Sequence, residues 1–191
     1  EMIDAVDAEV TVKGRVGVDQ QNPDVTLPKF LEHISNAGVT RVIIHARKAI
    51  LSGLSPKQNR NVPPLNYELV YKMKELFPDL HLSLNGGVQS IQQAKSHLEN
   101  GIDGVMIGRA AYQKPGEVLI DVDKYIFNDE TSELTEKDVV KQMIPYIENQ
   151  YKDGGKVSKI TRHMLGLFSG KPGAKGGVKF CLKMRIVQDR K

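Results

Sequence analysis

Four separate stretches of this sequence place polar residues or glycines at or near the ends of short apolar runs. These residues are Lys13, His45, the triplet Asn85, Gly86 and Gly87, and the pair Gly108 and Arg109. If the runs are parallel strands, their carboxyl ends share one edge of a sheet, which is where ligands bind in such folds. Glycine lets backbone N–H groups approach an anion, and arginine adds a planar cationic fork. The pattern therefore predicts a site for a phosphate group.

Each of these residues also has a purely structural interpretation. A lysine in an apolar strand must reach the sheet edge or pair with an anion, because an unpaired buried charge is costly, and this favours a ligand role for Lys13. His45 could bind phosphate or be a hydrogen-bonded structural histidine, and the residues alone leave both roles open. The two glycine-containing turns could be tight βα connections beside a surface arginine. Their repetition at two strand ends favours phosphate.

The elements that must position these residues follow from the apolar pattern. Four runs are nearly continuous, as expected of strands buried on both faces of a parallel sheet. They cover residues 8–16, 41–46, 80–85 and 103–108. Segments with helical periodicity separate them, so the order β-α-β-α-β-α-β predicts an α/β domain with parallel strands.

The ends of the helices carry recognisable signals. Thr26 is predicted to cap the first interstrand helix, with Pro28 in its first turn. The second spans the apolar stripe that begins at Tyr67, and Ser90 with Gln93 predicts a capping box for the third.

After about residue 114 the strand signals stop. Residues 135–138, with the sequence TEKD, predict the start of a helix that contains Pro145, and a second helix is expected over residues 156–168. The sequence therefore predicts a small helical domain from about residue 130, after the α/β part.

Positive charge is concentrated in two segments, although the net charge is only +4. Residues 41–60 carry five bases and no acid, and residues 155–191 carry ten bases and one acid, whereas acids outnumber bases elsewhere. Such an asymmetry favours a polyanion partner such as a nucleic acid. A solvated loop and a disordered basic tail would produce the same pattern, and charge alone does not decide between them.

Several classes of protein are disfavoured. There is no run of 18 apolar residues and no signal peptide, so we expect a soluble, non-secreted protein, and the first residue, Glu1, is not expected to be the first of the gene product. The single cysteine, Cys181, excludes an internal disulfide framework and is a poor catalytic candidate because it is remote from the strand ends. The five histidines are scattered, so no metal site is expected, and no common nucleophile motif occurs.

Five longer segments together resemble the tRNA-dihydrouridine synthases, specifically the A-type subfamily. They read TVKGRVG, HARKAILSGLSPKQNRNVPPL, LNGGVQS, DGVMIGRAAYQKP and ITRHMLGLFSGKPGA, and the similarity runs from about residue 3 to 174. The resemblance implies a (β/α)8 TIM barrel that binds FMN. In that family NADPH reduces the flavin, which passes a hydride to C6 of a uracil in the D-loop of tRNA, while a cysteine protonates C5.

The resemblance also implies roles for individual residues. It implies a cofactor-binding set of Lys13, His45, Asn85, Gly86, Gly87, Gly108 and Arg109. Lys13 would contact the flavin ring, His45 the flavin or its phosphate, and the glycine-containing turns the ribityl and phosphate end. A tRNA-binding set of Lys57, Arg60, Lys171 and Lys175 is implied in the same way. Because the target uridine must leave its stack, contacts to phosphates outside the pocket are needed to hold it.

Four βα units correspond to the second half of such a barrel. We therefore expect the barrel half in residues 1–125, a helical tRNA-binding domain in 130–175 and an atypical basic tail in 176–191. The catalytic cysteine is expected upstream of Glu1, so the chain alone is expected to be inactive, and its open barrel edges could pair with another chain. After Ala174 the family expects a segment containing Trp-Arg, whereas this chain reads KGGVKFCLKMRIVQDRK.

Two alternatives stay open. One is another FMN- or phosphosugar-binding barrel, which would leave the basic loop unexplained. The other is a tRNA-binding module without redox activity. The expected location is the cytoplasm, or an organelle if the source is eukaryotic.

Overall fold

A parallel four-stranded sheet forms the centre of the first part of the molecule. The computed structural model describes residues 1–130 and 134–174. The strands are β1 (Val12–Arg15), β2 (Arg41–His45), β3 (His81–Asn85) and β4 (Gly104–Met106). They lie side by side in the order β1-β2-β3-β4, and every pairing is parallel. The predicted α/β class with parallel strands is confirmed.

Helices occupy the connections and the second part of the chain. Before β4 they are α1 (Met2–Ala5), α2 (Pro23–Asn36), α3 (Pro56–Asn59), α4 (Tyr67–Leu76) and α5 (Ile91–Glu99). After β4 they are α6 (Arg109–Gln113), α7 (Pro115–Val118), α8 (Val122–Ile126), α9 (Glu136–Lys152) and α10 (Val157–Thr161). Among the described residues, no helix is both long and apolar enough to span a bilayer.

The two faces of the sheet differ, and here the expectation of strands buried on both faces is wrong. Val42, Ile44, Leu82 and Leu84 are at most 1% exposed, whereas the residues between them in the chain are half-buried. Side chains alternate along a strand, so each strand presents one residue set to each face. Apolar residues of α2, α4 and α5 pack with the buried set.

The helix ends confirm some capping predictions and correct others. Thr26 does not cap α2, because the helix begins earlier, at Pro23, with the side chain of Asn22 accepting from the Asp24 N–H. Proline is pre-organised for the first helical position and favours this earlier start. Thr135 caps α9 as predicted, with a capping box to Asp138, and Pro145 lies within that helix. The helix predicted over 156–168 is shorter, since α10 ends at Thr161.

The chain divides into two compact units. Glu1–Val88 and Gln92–Ile107 form the first, and the second comprises Gln89–Ile91 and the described residues from Gly108 onward. The core of the first unit lies between one face of the sheet and its helices. In the second unit, Val118, Ile147, Val157 and Leu167 are buried.

Candidate functional site

The carboxyl end of the sheet brings together several of the predicted residues. Arg15 pairs with His45, His45 with Asn85, and Asn85 with Met106, so these four form one row across the strands. Lys13 lies two residues before Arg15 on the same face, opposite Ile43, and is exposed. Three predicted site residues, Lys13, His45 and Asn85, therefore share the open face of the sheet. Arg15, which the sequence did not single out, belongs to the same row.

The turn after β3 depends on its two glycines. Gly86 and Gly87 have φ of +110° and +76°, a backbone region that other residues rarely adopt. A Cβ on Gly86 would lie 3.1 Å from His45 Cε1, and one on Gly87 would lie 2.5 Å from Leu65 Cδ1. The turn therefore packs directly against His45. The structural requirement for glycine and the predicted phosphate role apply to the same residues.

Hydrogen bonds fix this turn from two sides. The Asn85 Nδ2 donates to the carbonyl of Met106 at 2.8 Å, which joins the ends of β3 and β4. The Tyr67 hydroxyl donates to the carbonyl of Gly86 at 2.7 Å. With that carbonyl engaged, the orientation of the peptide plane after Gly86 is fixed. Such a pre-organised turn suits anion binding, because the N–H directions need not be reorganised when a ligand arrives.

Behind the turn is a cluster of Tyr67, Tyr71 and His97 that the sequence analysis missed. His97 is buried, its Nδ1 lies 2.6 Å from the Tyr71 hydroxyl, and its ring meets the Tyr67 ring edge-on at 4.6 Å. Burial lowers the pKa of His97 and raises the pKa of Tyr67 and of Tyr71, so all three favour their neutral forms. Helical spacing puts the two tyrosines on one side of α4, but nothing local indicates His97 as their partner.

The cations nearest the sheet edge hold the long loop between β2 and α4 in place. Arg15 Nη1 donates to the carbonyls of Lys48 and Asn59 at 2.9 and 3.0 Å. Arg47 donates to the carbonyl of Pro63, and Lys48 Nζ to that of Asp19 at 2.9 Å. Burial, followed by repulsion from Arg47 and Arg60, lowers the pKa of Arg15, so positive charge is crowded here. The field favours an anion nearby.

The rest of this loop is also ordered, and two of its cations face solvent. The Asn59 side chain accepts from the Ile50 N–H at 2.7 Å and donates to the Ile50 carbonyl at 2.6 Å, which closes the loop on itself. Ser55 caps the short helix α3. Lys57 and Arg60 are exposed at this helix. Their predicted contacts with tRNA stay a prediction.

A cavity of about 290 Å³ lies between this loop and the connection from β1 to α2. Its walls are mainly apolar and include Val16, Pro23, Ile50, Leu54, Val62 and Pro63. All of them belong to the first unit. No sequence signal marked this cavity, because its walls come from segments far apart in the chain.

The remaining predicted residues within the described part of the chain belong to the second unit. Gly108 immediately precedes α6, which begins at Arg109, and both residues are exposed. Lys171 forms an ion pair with the buried Glu136. Burial alone would raise the pKa of Glu136, but hydrogen bonding and charge from Lys171 leave it lowered. Lys171 thus has a structural partner, and its role toward tRNA stays a prediction. Lys175, Cys181 and the predicted tail 176–191 lie outside the described residues.

The comparisons with known proteins identify the class. Residues 1–181 match the family described as "Dihydrouridine synthase (Dus)", so the chain belongs to the dihydrouridine synthase family. The sequence-based recognition is confirmed, and the relatives named below also support the A-type subfamily.

Several similar relatives carry the name tRNA-dihydrouridine(20/20a) synthase. The protein from Salmonella typhimurium is 50% identical over 175 residues, which cover 91% of this chain and 52% of the relative. The Escherichia coli K12 protein is 50% identical, with 91% and 50% covered, and that of Vibrio cholerae 48% identical, with 89% and 52% covered. The chain therefore spans about half the length of the curated relatives it matches. A response regulator from Burkholderia pseudomallei matches with a TM-score of 0.30 and 10% identity, which supports no conclusion.

Proposed function

We propose that this chain is part of an enzyme that reduces uridine to 5,6-dihydrouridine in the D-loop of tRNA, with FMN as cofactor and NADPH as reductant. Membership of the family and the names of the relatives support this proposal. The single structural observation that carries it is the row of Arg15, His45 and Asn85 beside the turn with Gly86 and Gly87. A site for a phosphorylated ligand is expected at such a sheet edge.

We further propose that the sheet is the C-terminal half of a (β/α)8 barrel. Two observations support it. The strand order follows the chain order without reversal, as in a barrel, whereas a doubly wound sheet reverses at a switch point. The helices between the strands also pack on one face, while the other face is polar and partly exposed. In a closed barrel the second face would line the interior.

The residues of the first unit fit a flavin phosphate. Lys13, His45, Asn85, Gly86 and Gly87 are proposed to hold FMN, because the cationic edge and the constrained turn suit an anion. Gly108 and Arg109 are carried over from the resemblance as further phosphate ligands. When bound, the flavin would supply the hydride. Lys13 is proposed to place positive charge beside the flavin ring, which favours the anionic reduced form.

The RNA is proposed to contact the outer cations. Lys57 and Arg60 are exposed on an ordered loop, in a stretch from residue 41 to 67 that contains no acid. Phosphate contacts of this kind hold an RNA while the target nucleotide is out of its stack. Lys171 and Lys175 are proposed as a second set. Because the relatives' names give positions 20 and 20a, we propose that the same uridines are the targets.

The test compares the complete gene product with the 191-residue chain. Each is incubated with FMN, NADPH and unmodified tRNA, and dihydrouridine is measured by mass spectrometry. We expect dihydrouridine from the gene product and little or none from the chain alone. Flavin absorbance and tRNA binding are measured in parallel. A gene product that binds tRNA but never retains flavin would instead favour an RNA-binding module, and one that retains flavin but does not bind tRNA would favour another FMN barrel.

A further inference from the structure

The cavity beside the basic loop has the size and walls of a binding site for a single planar group. Its volume of about 290 Å³ is just below the range of about 300 to 1,000 Å³ that is typical of pockets for drug-sized ligands, as expected for one smaller group. Pro23, Pro63 and Pro64 contribute rigid rings to the walls, and Ile50, Leu54 and Val62 contribute aliphatic side chains. Such surfaces suit the faces of a flat, weakly polar ligand better than a phosphate or a sugar.

The walls are held in place before any ligand arrives. Arg47 donates to the carbonyl of Pro63, and the Asn59 side chain is bonded to both backbone groups of Ile50. Lys48 lines the cavity, yet its Nζ bonds the carbonyl of Asp19 at 2.9 Å, so its aliphatic stem can serve as wall. A pre-organised pocket loses little entropy on binding.

The surroundings indicate the chemistry of the ligand. Lys57 and Arg60 are exposed on the same loop, and residues 41–67 contain no acid. Asn66 also lines the cavity. Its Oδ1 is already engaged, because it caps α4 by accepting from the Leu69 N–H. Within the described part of the chain, its Nδ2 donates to no residue, so it is available to a ligand carbonyl. Apolar faces, one amide donor and nearby cations match a nucleobase attached to a phosphodiester backbone.

We propose that this cavity receives an unstacked nucleobase that neighbours the target uridine of the bound RNA. The inference rests on the proposed function and adds to it a second base site, separate from the flavin. When one nucleotide is extruded, the stacking of its neighbours is broken as well. Stacking a neighbouring base against the prolines would compensate for that loss and hold the strand in its distorted path.

The experiment combines a filled cavity with RNAs that lack one base. Val62 is 61% exposed, so Val62→Trp can occlude the cavity without disturbing the core, and Leu54→Phe fills it from another wall. Leu51→Trp is the matched control, because Leu51 is 74% exposed on the same loop and does not line the cavity. Dissociation constants are measured with the complete gene product for intact tRNA and for tRNAs with one abasic nucleotide on either side of the target.

We expect Val62→Trp to weaken the binding of intact tRNA by about 5- to 10-fold, the lower end of the range for one base stacked on an aromatic side chain, because the cavity walls contain no aromatic ring. The tRNA that lacks the base bound in the cavity should bind the wild type about as weakly as intact tRNA binds the Val62→Trp variant. Val62→Trp should not weaken the binding of this abasic tRNA any further. Leu51→Trp should leave the dissociation constants for intact and abasic tRNA unchanged. Lys57→Ala should weaken the binding of all these RNAs by the same factor.

Other outcomes have distinct meanings. Equal losses for intact tRNA and every abasic tRNA, or no loss in either cavity variant, would overturn the base site while leaving the proposed function standing. A change only in the oligomeric state of Val62→Trp would assign the cavity to a second copy and also overturn it. Failure of the wild type to bind tRNA would refute the proposed function itself.

Discussion

The two faces of the four-stranded sheet differ in what covers them and in which residues they carry. On one face, Ile44 and Leu84 are packed against helices and at most 1% exposed. On the other, His45 and Asn85, their immediate neighbours in the chain, lie beside the cationic loop and the glycine turn. Adjacent residues thus belong in turn to the core and to the proposed site, because side chains alternate along a strand. Substitutions on the first face should change the free energy of unfolding, and those on the second should mainly change ligand binding.

The largest effect is expected on the buried face. Leu84→Ala should lower the free energy of unfolding by about 2 to 5 kcal/mol, because it removes buried methyl groups and leaves a cavity. Met106→Ala is the control on the open face, where the side chain is 38% exposed, and it should lower that energy by less than about 1 kcal/mol. Urea unfolding measures both, and similar losses would contradict the difference between the faces.

A somewhat smaller effect on the free energy of unfolding is expected in the turn after β3, which contains Gly86 and Gly87. Gly87→Ala adds a Cβ 2.5 Å from Leu65 Cδ1 at a φ of +76°, so strain and overpacking both oppose folding. Gly53→Ala is matched in backbone conformation, with a φ of +83°, but its Cβ would meet nothing within 4 Å. Gly87→Ala should therefore cost about 1 to 3 kcal/mol more than Gly53→Ala. Equal losses in urea unfolding would mean that the turn can move away from Leu65.

The ion pair between Lys74 and Asp103, at the amino ends of the strands, should make the free energy of unfolding depend on pH. Lys74 Nζ lies 2.8 Å from Asp103 Oδ2, which also accepts from the Leu82 N–H at 2.8 Å. Burial would raise the pKa of Asp103, but these two partners leave it lowered. The ionised carboxylate therefore stabilises the fold at neutral pH, and this contribution is lost as the pH falls below about 4 through the lowered pKa.

Asp103→Asn should accordingly lower the free energy of unfolding by about 1 kcal/mol at pH 7. The difference from wild type should shrink as the pH falls below about 4. Asp79→Asn, at an exposed position nearby, should show neither behaviour. Urea titrations between pH 7 and pH 3 measure this, and a difference that grew on acidification would show that the sign is wrong.

The smallest effect on stability is expected on the open face. Lys13 is exposed, and its side chain has no hydrogen bond or ion pair with another described residue, so Lys13→Ala should change the free energy of unfolding by less than about 0.5 kcal/mol. Under the proposed function it should nevertheless weaken FMN binding to the complete gene product, measured by flavin fluorescence. Unchanged flavin affinity would remove Lys13 from the proposed site.

The sequence predicted the class of the fold and much of its local structure. The alternation of strands and helices is confirmed, since apolar periodicity and caps such as that of Thr135 are local signals. The expected burial of both strand faces was wrong, because a short apolar run such as RVIIH does not reveal which neighbours cover it. Thr26 was a wrong cap for a similar reason, as Asn22 and Pro23 offered a competing start four and three residues earlier.

The candidate site divides in the same way. The sequence predicted that Lys13, His45, Asn85 and the glycines lie together, because the carboxyl ends of strands in a parallel sheet share one side of the sheet. Only the tertiary structure aligned Arg15 with His45, bonded Tyr67 to Gly86, placed His97 behind that turn and formed the cavity beside the prolines. The pairs Arg15–His45, Tyr67–Gly86 and Tyr67–His97 are 19 to 30 positions apart in the chain. Their contacts depend on strand register and packing, which no local pattern of residues encodes.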